Sequence, residues 1–327
     1  MLKFSQHSVY NFFLIASLVL SSGCFSSAEA QYLGKPMVLP VKYDEHRFYV
    51  QPITENGTTL NFFTDTGGGL FVFSDVVERL KLPLLKPEAE GAPGTITLPA
   101  FKLGSSIPAP MGSRDRLSVA PVSVRNQMGV DWSGMLGQQW FAGRIWTFDY
   151  PNKRLLLRAA GDLPKTKTEH KIALGFKTNS AGQRSTNFPR IPLTIDGETL
   201  DLLFDTGATT DLTEPALQFL KDKRPAIRAT SFITQSVFER WRKAHPDWRV
   251  IENAENKSKA AMIEVPKINI GGYSASAVWF TVRPDKNFHE YMSQWMDKKI
   301  EGAIGGNALC HFRVTVDYPN AVAYFEK

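Results

Sequence analysis

Two short apolar runs set the pattern of this chain. Residues 60–64 (LNFFT) and 200–204 (LDLLF) are nearly continuous in hydrophobic side chains, which predicts strands buried on both faces. Each run follows a turn dipeptide, Asn56-Gly57 or Asp196-Gly197, of the kind that two-residue hairpin turns prefer because both central residues need positive φ. Each run then carries an aspartate into a glycine-bearing loop, Asp65-Thr66-Gly67 and Asp205-Thr206-Gly207. The predicted unit in both halves is therefore strand, two-residue turn, strand and loop. Short helices are expected next, at residues 75–80 and 215–221, among many short strands separated by turn signals. Phe288, Tyr291, Met292 and Trp295 share one helical face, spacing that predicts a helix over 288–296 packed on a core. Residues 232–248 (FITQSVFERWRKAHPDW) read as one more helix, covering either a cleft or its own lobe.

The two loops belong to an internal repeat. Residues 52–60 (PITENGTTL) match 192–200 (PLTIDGETL), and Asp65 then falls on Asp205. Further on, 98–104 (LPAFKLG) matches 265–271 (VPKINIG), Gly134-Met135-Leu136-Gly137 matches Gly302-Ala303-Ile304-Gly305, and 147–152 (TFDYPN) matches 315–320 (TVDYPN). Blocks in unchanged order identify a duplication. The offset grows along the chain, which places some 27 additional residues of the second copy between Lys221 and Glu264. The polar stretch 159–170 (AAGDLPKTKTEH) separates the copies. The expected organisation is a leader over 1–30, a first lobe over 31–160, a linker over 161–171 and a second lobe over 172–327.

Composition narrows the function. The 327 residues suffice for two lobes with cores of their own. The net charge of +6 is spread along the chain, without the basic stripe or reading motif of a nucleic-acid binder. Six histidines include no HExxH pair, and there is no GxSxG, phosphate loop or dinucleotide fingerprint, so neither a metal nor a cofactor is expected. The two cysteines are Cys24 and Cys310. Residues 12–20 (FFLIASLVL) are too short to span a bilayer and fit a signal-peptide core. Ala28-Glu29-Ala30 supplies an ordinary cleavage site, and Ser22-Gly23-Cys24 an alternative lipoprotein box with Cys24 as the lipidated residue. The expectation is an exported protein, periplasmic or held at the outer membrane of a bacterium through that lipid. Cys310 then remains alone in the mature chain, without an internal disulfide, and reads as a buried inert thiol.

The paired DTG loops, each followed in order by an apolar pair and glycine (Met135-Leu136-Gly137, Ala303-Ile304-Gly305), resemble the aspartic proteases of the pepsin and retroviral type. The DYPN ending of each half is similar to bacterial retropepsin-like proteins. The resemblance covers most of residues 45–160 and 172–327. It implies an all-β, bilobal acid-protease fold: two related barrel-like lobes, a few short helices and a central cleft. It also implies catalytic roles for Asp65 and Asp205, with Thr66 and Thr206 cross-bracing the loops, and a peptide or protein substrate. A chain with both loops needs no partner to complete the pair, so a monomer is expected. The chemistry asks for such a pair: hydrolysing an amide calls for a general base and a general acid, and two adjacent carboxyls share one proton. Gly67 and Gly207 allow a sharp turn and close approach of the loops. Three features depart from the pepsin pattern. Gly68 and Ala208 stand where a hydroxyl residue is usual, Gly69 replaces a small polar residue, and the expected flap, 86–97 (KPEAEGAPGTIT), is short and lacks a tyrosine.

Overall fold

The computed structural model describes residues 36–87, 91–111 and 116–327. The expected leader and Cys24 lie outside the described residues, as do positions 88–90 of the expected flap. The described chain is mostly β and bilobal, with a few short helices. The first lobe's sheet runs in the order Val41–Asp44, Arg47–Val50, Phe62–Thr64, Gly134–Leu136, Leu70–Phe73, Arg116–Ala120, Thr95–Thr97. The second runs Arg190–Ile195, Glu198–Phe204, Gly302–Ile304, Ser231–Thr234, Tyr273–Arg283, Met262–Ile270, Val250–Ile251. Here Thr194 also pairs with Asn269, so six of these strands close into a barrel. A bridge between Thr54 and Phe101 stands at nearly the equivalent place in the first lobe.

The apolar runs are central strands. Phe62 and Phe63 are both buried, as are Leu202, Leu203 and Phe204. Their hairpins differ from each other. Asp196 and Gly197 take φ of 53° and 76° in the predicted two-residue turn between Ile195 and Glu198. In the first lobe the Thr54 N–H donates to Thr58 O, leaving three residues in the loop, and among them only Gly57 (φ 89°) is left-handed. The Asn56 carboxamide oxygen accepts from the Thr54 hydroxyl at 2.5 Å and the Thr58 N–H at 3.2 Å. That local bonding favours the longer loop, so the two-residue expectation fails there.

A third sheet is shared. Ile145–Asp149 pairs antiparallel with Arg313–Asp317 about Thr147 and Thr315, which lie 168 apart and whose hydroxyls are 2.7 Å from each other. Arg154–Arg158 and Met37–Val38 extend it on one side, Val322–Glu326 and Lys171–Ala173 on the other. The two halves are thus related by an approximate two-fold axis through the threonine pair.

The extra residues of the second half begin earlier than the repeat places them. Phe71 and Val72 pair antiparallel with Met135 and Gly134, and Phe232 and Ile233 pair in the same way with Ala303 and Gly302. Ser231–Thr234 and the helix Gln235–Ala244 are therefore the counterparts of Leu70–Phe73 and the helix Ser74–Leu80. A further block of the sequence records this: FVFSDVVERLK (71–81) against FITQSVFERWR (232–242). The main excursion is residues 209–229. It comprises Thr209–Asp211, the helix Glu214–Leu220 and Ile227–Ala229, and it ends where the Thr230 N–H returns to Ala208 O at 3.0 Å. The helix at 214–220 follows the second loop in sequence at the same distance as its supposed twin, which explains the misplacement.

The excursion packs on its own lobe. Leu212 and Ala216 form a small core with Ile251, Ala254 and Met262. The Thr213 N–H donates to Ala254 O, and the Asn256 N–H to Asp211 O. Residues 232–248 likewise cover their own lobe: Val237, Phe238 and Trp241 are buried, with Trp241 edge-on to Trp248 and Phe280. The stretch at 288–296 forms a wide helical turn, Asn287–Met292, and a tighter one, Ser293–Trp295. Phe288, Met292 and Trp295 join a satellite core there. Replacing Trp241 by Ala should cost about 3–5 kcal/mol in denaturant unfolding, as for any large core aromatic; a helix closing over a cleft would tolerate the change.

Candidate active site

Each DTG loop is positioned by a parallel strand pair. Phe63 and Thr64 pair with Met135 and Leu136, and Leu203 and Phe204 with Ala303 and Ile304. The strand then ends with the aspartate's N–H on the neighbouring carbonyl: Asp65 on Leu136 O at 3.1 Å, Asp205 on Ile304 O at 2.9 Å. Gly137 and Gly305 follow. A Cβ on Gly137 would stand 2.1 Å from the carbonyl oxygens of Gly68 and Gly69. On Gly305 it would stand 1.8 Å from that of Thr230. Any side chain at either position would push the loop region off its strand.

The loops are locked across the two-fold axis. The Thr66 N–H donates to Thr206 Oγ1 at 3.2 Å and the Thr206 N–H to Thr66 Oγ1 at 3.0 Å; the Thr66 hydroxyl donates on to Phe204 O at 2.6 Å. Both threonines are buried. Gly67 and Gly207 permit the approach, since a Cβ on Gly67 would lie 2.9 Å from Asp205 Cγ and one on Gly207 2.2 Å from Asp65 Cγ.

This geometry brings Asp65 and Asp205 together, their carboxyl groups within hydrogen-bonding reach of each other. Each also accepts from the glycine two residues on, Gly67 N–H to Asp65 at 2.8 Å and Gly207 N–H to Asp205 at 3.0 Å. Asp205 is only 9% exposed, whereas Asp65 is partly open to solvent, as are Gly67, Gly68 and Gly69. Burial raises both carboxyls above the ordinary carboxylate range. For Asp205 the neighbouring Asp65 charge raises it well above; for Asp65 the hydrogen bond with Asp205 and the glycine N–H groups partly offset the burial. One proton shared by the pair is the state such an arrangement favours over a wide span of pH.

Beneath the pair lie two residues that the sequence reading passed over. Tyr150 and Tyr318, of the two DYPN turns, are almost wholly buried and have no hydrogen-bond partner for their hydroxyls. The turns themselves are fixed by Asp149 and Asp317, whose carboxylates accept from Asn152 and Asn320. Cys310 is set apart from this chemistry. Its thiol donates to Asn307 O at 3.4 Å, and burial pushes its pKa up to about 11, so little thiolate exists near neutrality. Among the described residues no cluster of three or more His, Cys, Asp or Glu is placed to hold a metal.

No protein-family model matches the chain, and no curated protein does. Among solved structures it is similar to an aspartic proteinase from Irpex lacteus, at TM-score 0.46 and 11% identity, over 90% of this chain and 97% of that one. It is also similar to edgp, at TM-score 0.41 and 10% identity, over 89% and 94%. Likeness of that degree carries no weight in assigning chemistry, which rests on the residues themselves.

The raised carboxyls have a stability consequence. In the unfolded chain they ionise near pH 4, in the folded chain only at higher pH. Their contribution is full below the unfolded value and is lost as pH rises through the folded one. Asp205→Asn should therefore flatten the decline of Tm that sets in as pH rises above about 4. Thr66→Val should cost about 1–3 kcal/mol for the buried Thr206 N–H that it orphans, measured by denaturant unfolding at fixed pH.

Proposed function

We propose that this protein is an aspartic endopeptidase that hydrolyses peptide bonds with a water molecule activated between Asp65 and Asp205. One observation carries the reading: two carboxyls, one from each DTG loop, lie within hydrogen-bonding reach of each other, Asp205 buried and Asp65 partly open to solvent. In this mechanism the ionised member of the pair takes a proton from the water as it attacks the scissile carbonyl. The protonated member donates a hydrogen bond to the carbonyl oxygen and stabilises the developing charge; a proton then passes to the leaving nitrogen. The loop glycines keep the pair near the surface, and the threonine braces hold the spacing while charge moves.

The leader residues support action outside the cytoplasm, with lipidation at Cys24 as the alternative to cleavage before Gln31. A second reading, a peptide-binding relative that turns over poorly, is favoured by one feature: neither Gly68 nor Ala208 offers a hydroxyl to an ionised partner. A peptide-library digest with a pepstatin-like inhibitor separates the two. Cleavage abolished by Asp65→Asn and by Asp205→Asn supports the endopeptidase; inhibitor binding without cleavage by the wild type supports the second reading; cleavage that survives both substitutions overturns both. Because burial delays ionisation of the pair, the pH–rate profile should peak at mild acidity, and a maximum below about pH 3 contradicts this account.

A further inference from the structure

The two halves treat the space beside their aspartates differently. The loop residue after DTG is Gly68 in one half and Ala208 in the other; Met135 faces Gly68, and its equivalent in the second half is Ala303. In the second half the methyl of Ala208 fills its own place, 2.9 Å from where a Cβ of Gly305 would stand. In the first half Gly68 leaves that place to others. A Cβ there would lie 2.5 Å from Met135 Sδ and 2.7 Å from Asp65 Oδ2, so sulfur and carboxylate oxygen flank the same spot. Met135 reaches it because strand side chains alternate: Leu136 points into the core and its carbonyl holds the Asp65 N–H, which turns Met135 toward the loop. Met135 is itself buried, although the loop beside it is partly open.

We propose that Met135 is a positioning residue for the pair: its thioether excludes water and hydrogen-bond donors from the Oδ2 side of Asp65 and so sets the acidity at which the shared proton is taken and given. This deepens the endopeptidase reading and rests on it for its functional meaning. A thioether offers no proton to a carboxylate, and apolar bulk beside a carboxyl disfavours the ionised form. The other groups acting on Asp65 are Asp205 from the facing loop, the Gly67 and Gly207 N–H groups, and Tyr318, which senses the Asp65 charge. The first three oppose what the thioether does, by hydrogen bonding to the carboxylate. The asymmetry has a use. The aspartate more open to solvent is the one that receives the apolar cap, which offsets part of the difference in burial between the two loops.

The test compares Met135→Leu, Met135→Gln and Met135→Ala in the full chain. The first keeps apolar bulk, the second brings an amide donor in nearly the same volume, and the third copies Ala303. Carboxyl titration is read by NMR on aspartate-labelled protein, alongside the pH–rate profile on a peptide substrate. Met135→Gln and Met135→Ala should move the lower titration of the pair, and the acid limb of the profile, downward by about one pH unit; Met135→Leu should leave both in place. Identical titration of the Leu and Gln variants, or an upward shift with Gln, overturns the proposal. Should Gln fail to fold, the Ala and Leu comparison decides it by the same readout. The NMR titration needs no turnover: a shift without cleavage upholds Met135 and sinks the endopeptidase, whereas cleavage without a shift sinks Met135 alone.

Discussion

The crossed hydrogen bonds between Thr66 and Thr206 are the constraint on which the site depends. Each threonine uses its side chain to satisfy the other's backbone, so neither loop is fully bonded without its partner. Two carboxyls that repel when both are charged are thereby held side by side by neutral groups that gain nothing from separation. The same burial that makes these neutral bonds strong raises the cost of ionising the pair. Loop bracing and proton sharing are in this sense one physical arrangement, and the glycines at 67 and 207 are what let the backbones come close enough for it.

The shared sheet extends that arrangement below the site. Thr147 and Thr315 mark the axis within the sheet as Thr66 and Thr206 mark it above, and the aromatic layer of Phe141, Phe148, Tyr150 and Tyr318 fills the space between. The excursion at 209–229 breaks the symmetry. It ties the second lobe to the hairpin of the first through Arg224 and Glu45 at 2.6 Å, the Ala229 N–H on Glu45 O, and Arg47 on Ile227 O. It also braces residues 252–256 of its own lobe, where Glu255 pairs with Arg283 at 2.7 Å.

Much of this was legible in the sequence because it rests on local rules. The two apolar strands, their DTG loops, the apolar-glycine segments and the Asp196-Gly197 turn each follow from residue type at a fixed position. The helices at 75–80 and 215–221 were placed to within one residue. What was missed depends on partners. The place of the excursion turns on which of two strand-helix units enters the barrel, and sheet pairing decides that, although the ERLK and ERWR echo would have flagged it. The loop at Asn56 turns on a side chain choosing local hydrogen bonds over positive φ. Met135 is legible as half of the apolar pair before Gly137, but nothing local marks its nearness to the Asp65 carboxyl, since the glycine at 68 that leaves the place open is far away in the chain.

The antiparallel contact between Ile145–Asp149 and Arg313–Asp317 carries one more implication. Among the described residues each of these strands is the other's only cover on that side within the sheet; both are rich in β-branched residues, and the first also carries Trp146 and Phe148. A single copy on its own would present a bare, sticky border to any neighbour of the same kind. Tethering the copies in one polypeptide keeps the right neighbour always at hand, so that each border is covered from within its own chain.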